Sequence, residues 1–430
     1  MNTVFQEDYP LVQRDRQVIW HPFTPRSEQT LLPVVRAEGA WLYLADGSRI
    51  LDAIGSWWLT VHGHGQPEIA LAIAQQAQTL EHVLFAGFTH EPAVQLAERL
   101  IQALPGSFSK VFYSDDGSTA TEVALKIALQ YFHNLDTPRT RILALEGGYH
   151  GDTFGAMSAS SPSVFNAPFE ALLFQVTHLP SPAMDALACL RALEHEFAKG
   201  DVAALILEPL VQGVAGMHMY DADVLTRIVR KVHDYGALVI ADEVMTGFGR
   251  TGTLFAMEQS EEPADIICLS KGLTGGFLPL GATVVTEPIY QAFQSTDKRK
   301  TFFHGHSYTA NPIACAAALA SLKLLQNEST RLDIDRITHA QRQAVSLLKG
   351  TVGVVSARSC GIILAIEYEV PDQGYLSQLA PKLYKYFLKK GLLLRPLGNV
   401  IYTMPPLCIT DDELQYIYET ILAFNPLSEL

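Results

Sequence analysis

Ala237-Leu-Val-Ile-Ala-Asp-Glu-Val-Met-Thr-Gly-Phe-Gly-Arg-Thr-Gly252 runs through five apolar residues, breaks on two acids and then turns through glycine. An apolar run without alternation, closed by a turn, reads as a strand buried on both faces, the pattern of a parallel sheet. Ala203-Ala-Leu-Ile-Leu207 repeats it and ends on Glu208, and a helix closed by Gly236 joins the two. A third run, Asp265-Ile-Ile-Cys-Leu-Ser270, ends on Lys271 and the glycine-rich Gly272-Leu-Thr-Gly-Gly276. Strands alternating with helices define an α/β fold with a mostly parallel central sheet. Ligands of such sheets sit outside the carboxyl ends of the strands, where Glu208, Asp242 and Lys271 fall. A lone acid or lysine at a strand end is usually a cap or an ion pair; an acid and a lysine closing neighbouring strands ahead of glycine turns is a stronger signal.

Upstream, Asp115-Asp-Gly-Ser-Thr-Ala-Thr-Glu122 precedes an apolar stripe of Ala120, Val123, Ala124, Ile127, Ala128 and Tyr131. That spacing predicts a helix, and Thr119 with Glu122 has capping-box spacing, which places its start at or next to Gly117-Ser118. The first sixty residues read as short strands and turns, with Asp46-Gly47 as a hairpin signal. The last hundred read as helices around short strands such as Gly361-Ile-Ile-Leu-Ala-Ile-Glu367. The expected organisation is a large domain over residues 66–325. A smaller α+β domain is built from both chain ends, 1–65 and 326–430.

The 430 residues carry a formal charge of −14, with 18% charged and 48% hydrophobic side chains. That balance suits a globular protein and leaves no basic footprint for nucleic acid. Met1 to Arg16 lacks a basic start followed by an apolar stretch, so no secretory signal is expected. No run reaches the roughly 18 apolar residues of a membrane helix. Cys189, Cys268, Cys315, Cys360 and Cys408 show no metal-ligand spacing; buried free thiols of a cytoplasmic protein, with no metal site, are expected.

The polar residues collected at the sheet edge are those pyridoxal phosphate requires. Its aldehyde needs a lysine amine of lowered pKa, Lys271, and its ring nitrogen needs a carboxylate, Asp242. Its phosphate needs N–H groups and hydroxyls at a helix start, which Gly117 and Ser118 supply. Its ring face needs an aromatic cover, and Tyr149, in the flexible Gly147-Gly-Tyr-His-Gly151 loop, can present one.

Asp242-Glu-Val-x-Thr-Gly-Phe-Gly-Arg-Thr-Gly252, followed by Leu269-Ser-Lys-Gly-Leu-Thr-Gly-Gly276, resembles the signature of the class III aminotransferases of fold type I. Gly117-Ser118, Tyr149-His-Gly151 and Gly305-His-Ser307 fall in the same order, so the resemblance covers nearly the whole chain. It implies that Lys271 is the Schiff-base lysine and proton shuttle, and that Asp242 pairs with the pyridinium nitrogen. Gly117 and Ser118 would hold the phosphate, and Tyr149 would stack on the ring. His306 and Ser307 would reach the cofactor of a neighbouring subunit, which implies a homodimer with shared active sites.

Ile19-Trp-His-Pro-Phe-Thr24, Gly55-Ser-Trp-Trp58 with Val61-His-Gly63, Gly151-Asp-Thr-Phe-Gly-Ala-Met-Ser158 and Leu394-Arg-Pro-Leu-Gly-Asn-Val-Ile-Tyr-Thr-Met-Pro-Pro406 resemble the biotin-pathway branch. That branch aminates 8-amino-7-oxononanoate to 7,8-diaminononanoate. Met245, where many class III members carry Gln, points the same way. The branch implies Arg395 as the bidentate anchor of the acceptor carboxylate. Trp57 and Trp58 would be walls for its methylenes, with Gly305, Tyr402 and Phe23 beside them. Phe23 replaces a tyrosine found in many members. Together with Gly305-His-Ser-Tyr-Thr309 it leaves the donor open between S-adenosyl-L-methionine, favoured by the paired tryptophans, and lysine.

Weighed residue by residue, Arg395 as a surface ion pair and the tryptophans as core are the bland alternatives. His62, His64, His150 and His304 read as core or loop histidines, Arg250 and Asp152 as hydrogen-bonding supports, and Glu208 as a residue orienting the pocket. The rival functions are an ω-aminotransferase for 4-aminobutyrate, ornithine or diamines, an aminomutase or decarboxylase, and a non-catalytic cofactor sensor.

Overall fold

The computed structural model describes residues 9–24, 30–371 and 374–425; the first eight residues of the amino-terminal segment and the last five of the chain lie outside them. The chain divides into two units. One comprises Met1–Gln66, His339–Ser359 and Ile363–Leu430, and the other Pro67–Thr338 with Cys360–Ile362.

The larger unit holds a seven-stranded sheet. Its order is Phe108–Ser114, Gly281–Thr286, Ile266–Leu269, Leu238–Asp242, Val202–Leu207, Arg141–Leu145 and Thr177–Leu179. The last five run parallel, and Gly281–Thr286 is antiparallel to both its neighbours. All six residues of Val202–Leu207 and all five of Leu238–Asp242 are buried, as their unalternated apolar runs require, with Asp242 the one charged residue among them. Helix Ala222–Asp234 leads into the second of these strands; Gly236, at φ +63°, makes the left-handed turn that ends it.

Helix Gly117–Asn134 packs its stripe of Ala120, Val123, Ala124, Ile127 and Ala128 into the core of this sheet. Its cap differs from the expected Thr119–Glu122 pair. Asp116 is the N-cap, its carboxylate accepting from Thr119 N at 2.8 Å while the Thr119 hydroxyl accepts from Asp116 N at 3.0 Å. Asp116 is extended and one residue outside the helix, so its short side chain reaches the third helical N–H. Glu122 instead accepts from Gly155 N at 2.5 Å and Ala156 N at 3.1 Å, capping the helix Phe154–Ala159.

The smaller unit carries a sheet ordered Val34–Glu38, Trp41–Leu44, Arg49–Asp52 and Leu392–Leu393. Asp46-Gly47 turns between its second and third strands, which pair antiparallel. A second sheet contains Val354–Cys360, Ile363–Tyr368 and Val400–Thr403. The first sixty residues also contain a helix, Pro10–Val18, that a reading as strands and turns does not anticipate; it buries only Val12, too weak a stripe to register as a period. Cys189, Cys268 and Cys315 are buried free thiols, whereas Cys360 is half-buried and Cys408 is exposed, against the expectation that all five are inside. Among the described residues no helix is long and apolar enough to cross a membrane.

Candidate active site

Parallel pairing sets the site in the larger unit. Leu207 lies opposite Ala241, and Asp242 opposite Cys268, so Glu208, Asp242 and Lys271 leave three adjacent strands at the same edge of the sheet. Neighbouring strands are about 4.8 Å apart, which brings side chains on adjacent strand ends within electrostatic range. Lys271 opens a short 3-10 turn with its own φ at +47°. Burial lowers its ammonium pKa to about 8, while Asp242 and Glu208 pull it upward and Arg250 adds to the lowering. An amine in that range is available as a nucleophile near neutral pH. In apoenzyme the rate of cofactor capture is therefore expected to rise about tenfold per pH unit below 8 and to level off above it. Stopped-flow absorbance after adding pyridoxal phosphate measures this, and a pH-independent rate would assign the amine elsewhere.

Asp242 is buried, with one carboxylate oxygen accepting from Val244 N at 3.1 Å and the other 2.7 Å from His150 Nδ1. His150 is buried too, and its backbone N–H is held by the Ser160 hydroxyl at 2.8 Å. Its role is the main one that a core-or-loop reading misses; the available signal is its position next to Tyr149 in the loop that closes the strand Arg141–Leu145. Glu208 accepts from Tyr149 N at 3.0 Å and Gly213 N at 2.9 Å, so it orients the tyrosine loop through the backbone. Burial raises its pKa to about 7 even with those donors. The Tyr149 phenol is driven well above its ordinary range, by burial first and then by the Asp152 carboxylate to which it is hydrogen-bonded.

The helix start fits a phosphate. Capping satisfies Thr119 N, and the N–H groups of Gly117 and Ser118 precede the first intrahelical bond. A Cβ at Gly117 would lie 2.6 Å from Val244 Cγ1, so only glycine allows the strand end carrying Asp242 to close on this helix. The Ser118 hydroxyl accepts from Asp152 N at 3.1 Å, tying the helix start to the tyrosine loop. His306 lies in the 304–311 loop with Nδ1 3.3 Å from the Asp115 carboxylate and a buried Nε2 without a protein partner; Gly305 and Ser307 are exposed. His304 lies 3.0 Å from Lys126 Nζ, away from Asp242. Arg250 is buried, and its carbonyl accepts from Ile362 N at 3.1 Å. A lysine of lowered pKa, a buried acid held by a histidine and a glycine-built helix start meet the three demands of pyridoxal phosphate. Among the described residues no group of three His, Cys, Asp or Glu side chains could hold a metal.

The smaller unit holds the other cluster. The Arg395 guanidinium stacks over the Trp57 ring, 4.5 Å from its centroid, and Phe23 meets the same ring edge-on at 5.4 Å. Trp57 is 36% exposed, whereas Trp58 is buried and donates from Nε1 to the Tyr402 hydroxyl at 2.9 Å. Tyr402 is buried; its hydroxyl accepts from Trp58 and keeps its own proton to donate. With its guanidinium carbon over the ring, Arg395 can still direct N–H donors to an anion. His64 and His62 belong to this unit, His64 within 2.9 Å of Asp52.

The family model of the class III aminotransferases matches residues 23–424, and the chain belongs to that family. It is a pyridoxal-phosphate-dependent aminotransferase of fold type I. Among relatives, adenosylmethionine-8-amino-7-oxononanoate aminotransferase of Synechococcus elongatus is 52% identical over 94% of this chain and 97% of its own. The protein of that name from Geobacter sulfurreducens is 39% identical over 94% and 95%. The crystal structure of the one from Methanocaldococcus jannaschii superposes with a TM-score of 0.91 at 35% identity, covering 96% of this chain and 97% of that one. An amine transaminase from an uncultivated Pseudomonas species, solved with pyridoxal phosphate bound, gives 0.88 at 32% identity over 94% and 98%.

Proposed function

We propose that this aminotransferase moves an amino group onto 8-amino-7-oxononanoate to give 7,8-diaminononanoate in biotin synthesis, with S-adenosyl-L-methionine as donor. The observation that carries the reading is the 52% identity to a relative of that name across nearly the full length of both chains. The Arg395–Trp57 stack supports it chemically. The acceptor is a long methylene chain ending in a carboxylate, and the cluster offers an aromatic face beside a guanidinium edge.

When bound, pyridoxal phosphate supplies an electrophilic carbonyl carbon and an electron-withdrawing ring. Lys271 would be the amine that holds that carbon, and its buried amine of lowered pKa is suited to carry a proton to and from the amine-bearing carbon of the substrate. Asp242, fixed by His150 and Val244 N, keeps the ring nitrogen protonated. Gly117 and Ser118 hold the phosphate, and Tyr149 covers the ring. In the second half-reaction Arg395 takes the acceptor carboxylate beside Trp57 and Trp58, with Phe23 and Tyr402 completing that cluster. His306 and Ser307 serve the cofactor of a second subunit in a cytoplasmic homodimer.

Steady-state assays with 8-amino-7-oxononanoate and either S-adenosyl-L-methionine or lysine test the reading. Turnover with lysine alone reassigns the donor. No turnover with either, alongside activity on 4-aminobutyrate or simple amines, replaces the acceptor. In Arg395→Ala the acceptor KM is expected to rise on the order of 100-fold with kcat little changed, the loss of about 3 kcal/mol from a charge-assisted bidentate contact. Equal losses in both half-reactions would make Arg395 a site shared by donor and acceptor.

A further inference from the structure

We propose that Asp52 is a positioning residue for the acceptor site, its carboxylate holding Ser56 in a left-handed turn that presents Trp57 to Arg395. The inference rests on Arg395 and Trp57 being the acceptor's binding pair.

Asp52 ends the strand Arg49–Asp52 and has no exposed surface. A carboxylate offers about four lone-pair sites, and four groups point at this one. One oxygen accepts from Ile54 N at 3.2 Å; the other accepts from Ser56 N at 2.7 Å and Ser56 Oγ at 2.9 Å and lies 2.9 Å from His64 Nε2. His64 is fixed in turn by its backbone, which exchanges hydrogen bonds with Gly39 at 2.7 and 3.1 Å.

The residue these bonds hold is strained. Ser56 has φ 60° and ψ −92°, close to the rare γ-turn near about +75° and −65°. A side chain in that region persists only where its surroundings over-determine it, and such positions cluster at ligand clamps. Two residues on, Trp58 is also left-handed at φ +68°, pinned by its bond to Tyr402. Trp57 lies between these two pinned points, and its ring carries the Arg395 guanidinium. The backbone of Arg395 is set by the same strand: Leu393 is the parallel partner of Asp52, and Ala53 N donates to Leu393 O at 3.4 Å. Asp52 therefore stands where the strand leading to Arg395 and the turn carrying Trp57 are joined.

A glycine at position 56 would adopt this turn without the acid. The strain of Ser56 and the contacts of Asp52 compensate each other, and the test exploits that pairing. In the holoenzyme, Asp52→Ala is expected to raise the acceptor KM at least tenfold with kcat changed less than threefold. It is also expected to abolish the near-ultraviolet dichroism that Trp57→Phe removes from the native protein, while the absorbance of lysine-linked cofactor stays intact. Adding Ser56→Gly to Asp52→Ala should recover most of the lost KM. An acceptor KM within twofold of native, or a loss that Ser56→Gly does not reduce, overturns the proposal. Should Asp52→Ala fail to fold, Asp52→Val replaces it, filling most of the volume while accepting no hydrogen bond from Ser56, and is read by the same criteria. If the native enzyme does not aminate 8-amino-7-oxononanoate at all, the functional reading fails, and the Trp57 dichroism of the same variants still decides the role of Asp52.

Discussion

Lys271→Ala is expected to lower turnover by at least about 10⁴-fold and to remove the long-wavelength absorbance of lysine-linked pyridoxal phosphate. Two functions disappear together: the amine that holds the cofactor and the group that carries the substrate proton. General acid–base catalysis alone is worth roughly 10² to 10⁴, and loss of the covalent link adds to that. The acids Asp242 and Glu208 and the guanidinium of Arg250, which couple electrostatically to Lys271, cannot form that covalent link. Folding should survive. Burial depresses the ammonium pKa to about 8, so below that pH the charged amine costs the apoenzyme stability, a cost that fades as pH rises from 8 toward the ordinary lysine value. Its removal is expected to leave the melting temperature of the apoenzyme at pH 7 unchanged or higher. Absorbance and turnover of the purified variant decide the matter, and a retained long-wavelength band would show that another amine holds the cofactor.

Much of the larger unit is legible in its sequence because strands buried on both faces, such as Val202–Leu207 and Leu238–Asp242, are apolar without alternation up to the acid that follows or closes them. The strand ends announce Asp242 and Lys271 for the same reason: a charged residue closing such a run stays buried only with partners or a ligand to satisfy it. What the sequence hides is pairing over distance. His150 lies 92 residues from Asp242, and no local pattern joins them. The cap of Gly117–Asn134 is hidden differently, since Asp116 and Glu122 both suit a helix start and only the approach of Gly155 draws Glu122 away. The antiparallel strand Gly281–Thr286 is hidden because its six residues are buried but for the last, so it shows none of the polar–apolar alternation that marks an antiparallel strand with one solvated face. The Trp57–Trp58 turn is least legible, as its left-handed serine and tryptophan run against the preferences of both residue types.

Asp242→Asn is expected to cut kcat on the order of 10³-fold while leaving the phosphate end of the site unchanged. The substitution is nearly isosteric. The amide oxygen can still accept from Val244 N, and the amide can face His150 Nδ1 if the imidazole takes the tautomer that accepts there. What it lacks is charge. A unit charge about 4 Å away is worth about 4 kcal/mol at an effective dielectric of 20, which is close to three decades of rate. The same change acts on Lys271. Asp242 pulls the lysine pKa upward, so its neutralisation should move the pH profile of cofactor capture to lower pH. A fall in kcat and an acidic shift of that profile in one variant identify the carboxylate as the anion serving both groups. Asp242→Glu, which keeps the charge on a longer arm, should lose less than Asp242→Asn. If Asp242→Asn instead retains kcat within tenfold of native, the anion lies elsewhere. Glu208, buried on the adjacent strand and titrating at about 7, would then be the carboxylate to replace.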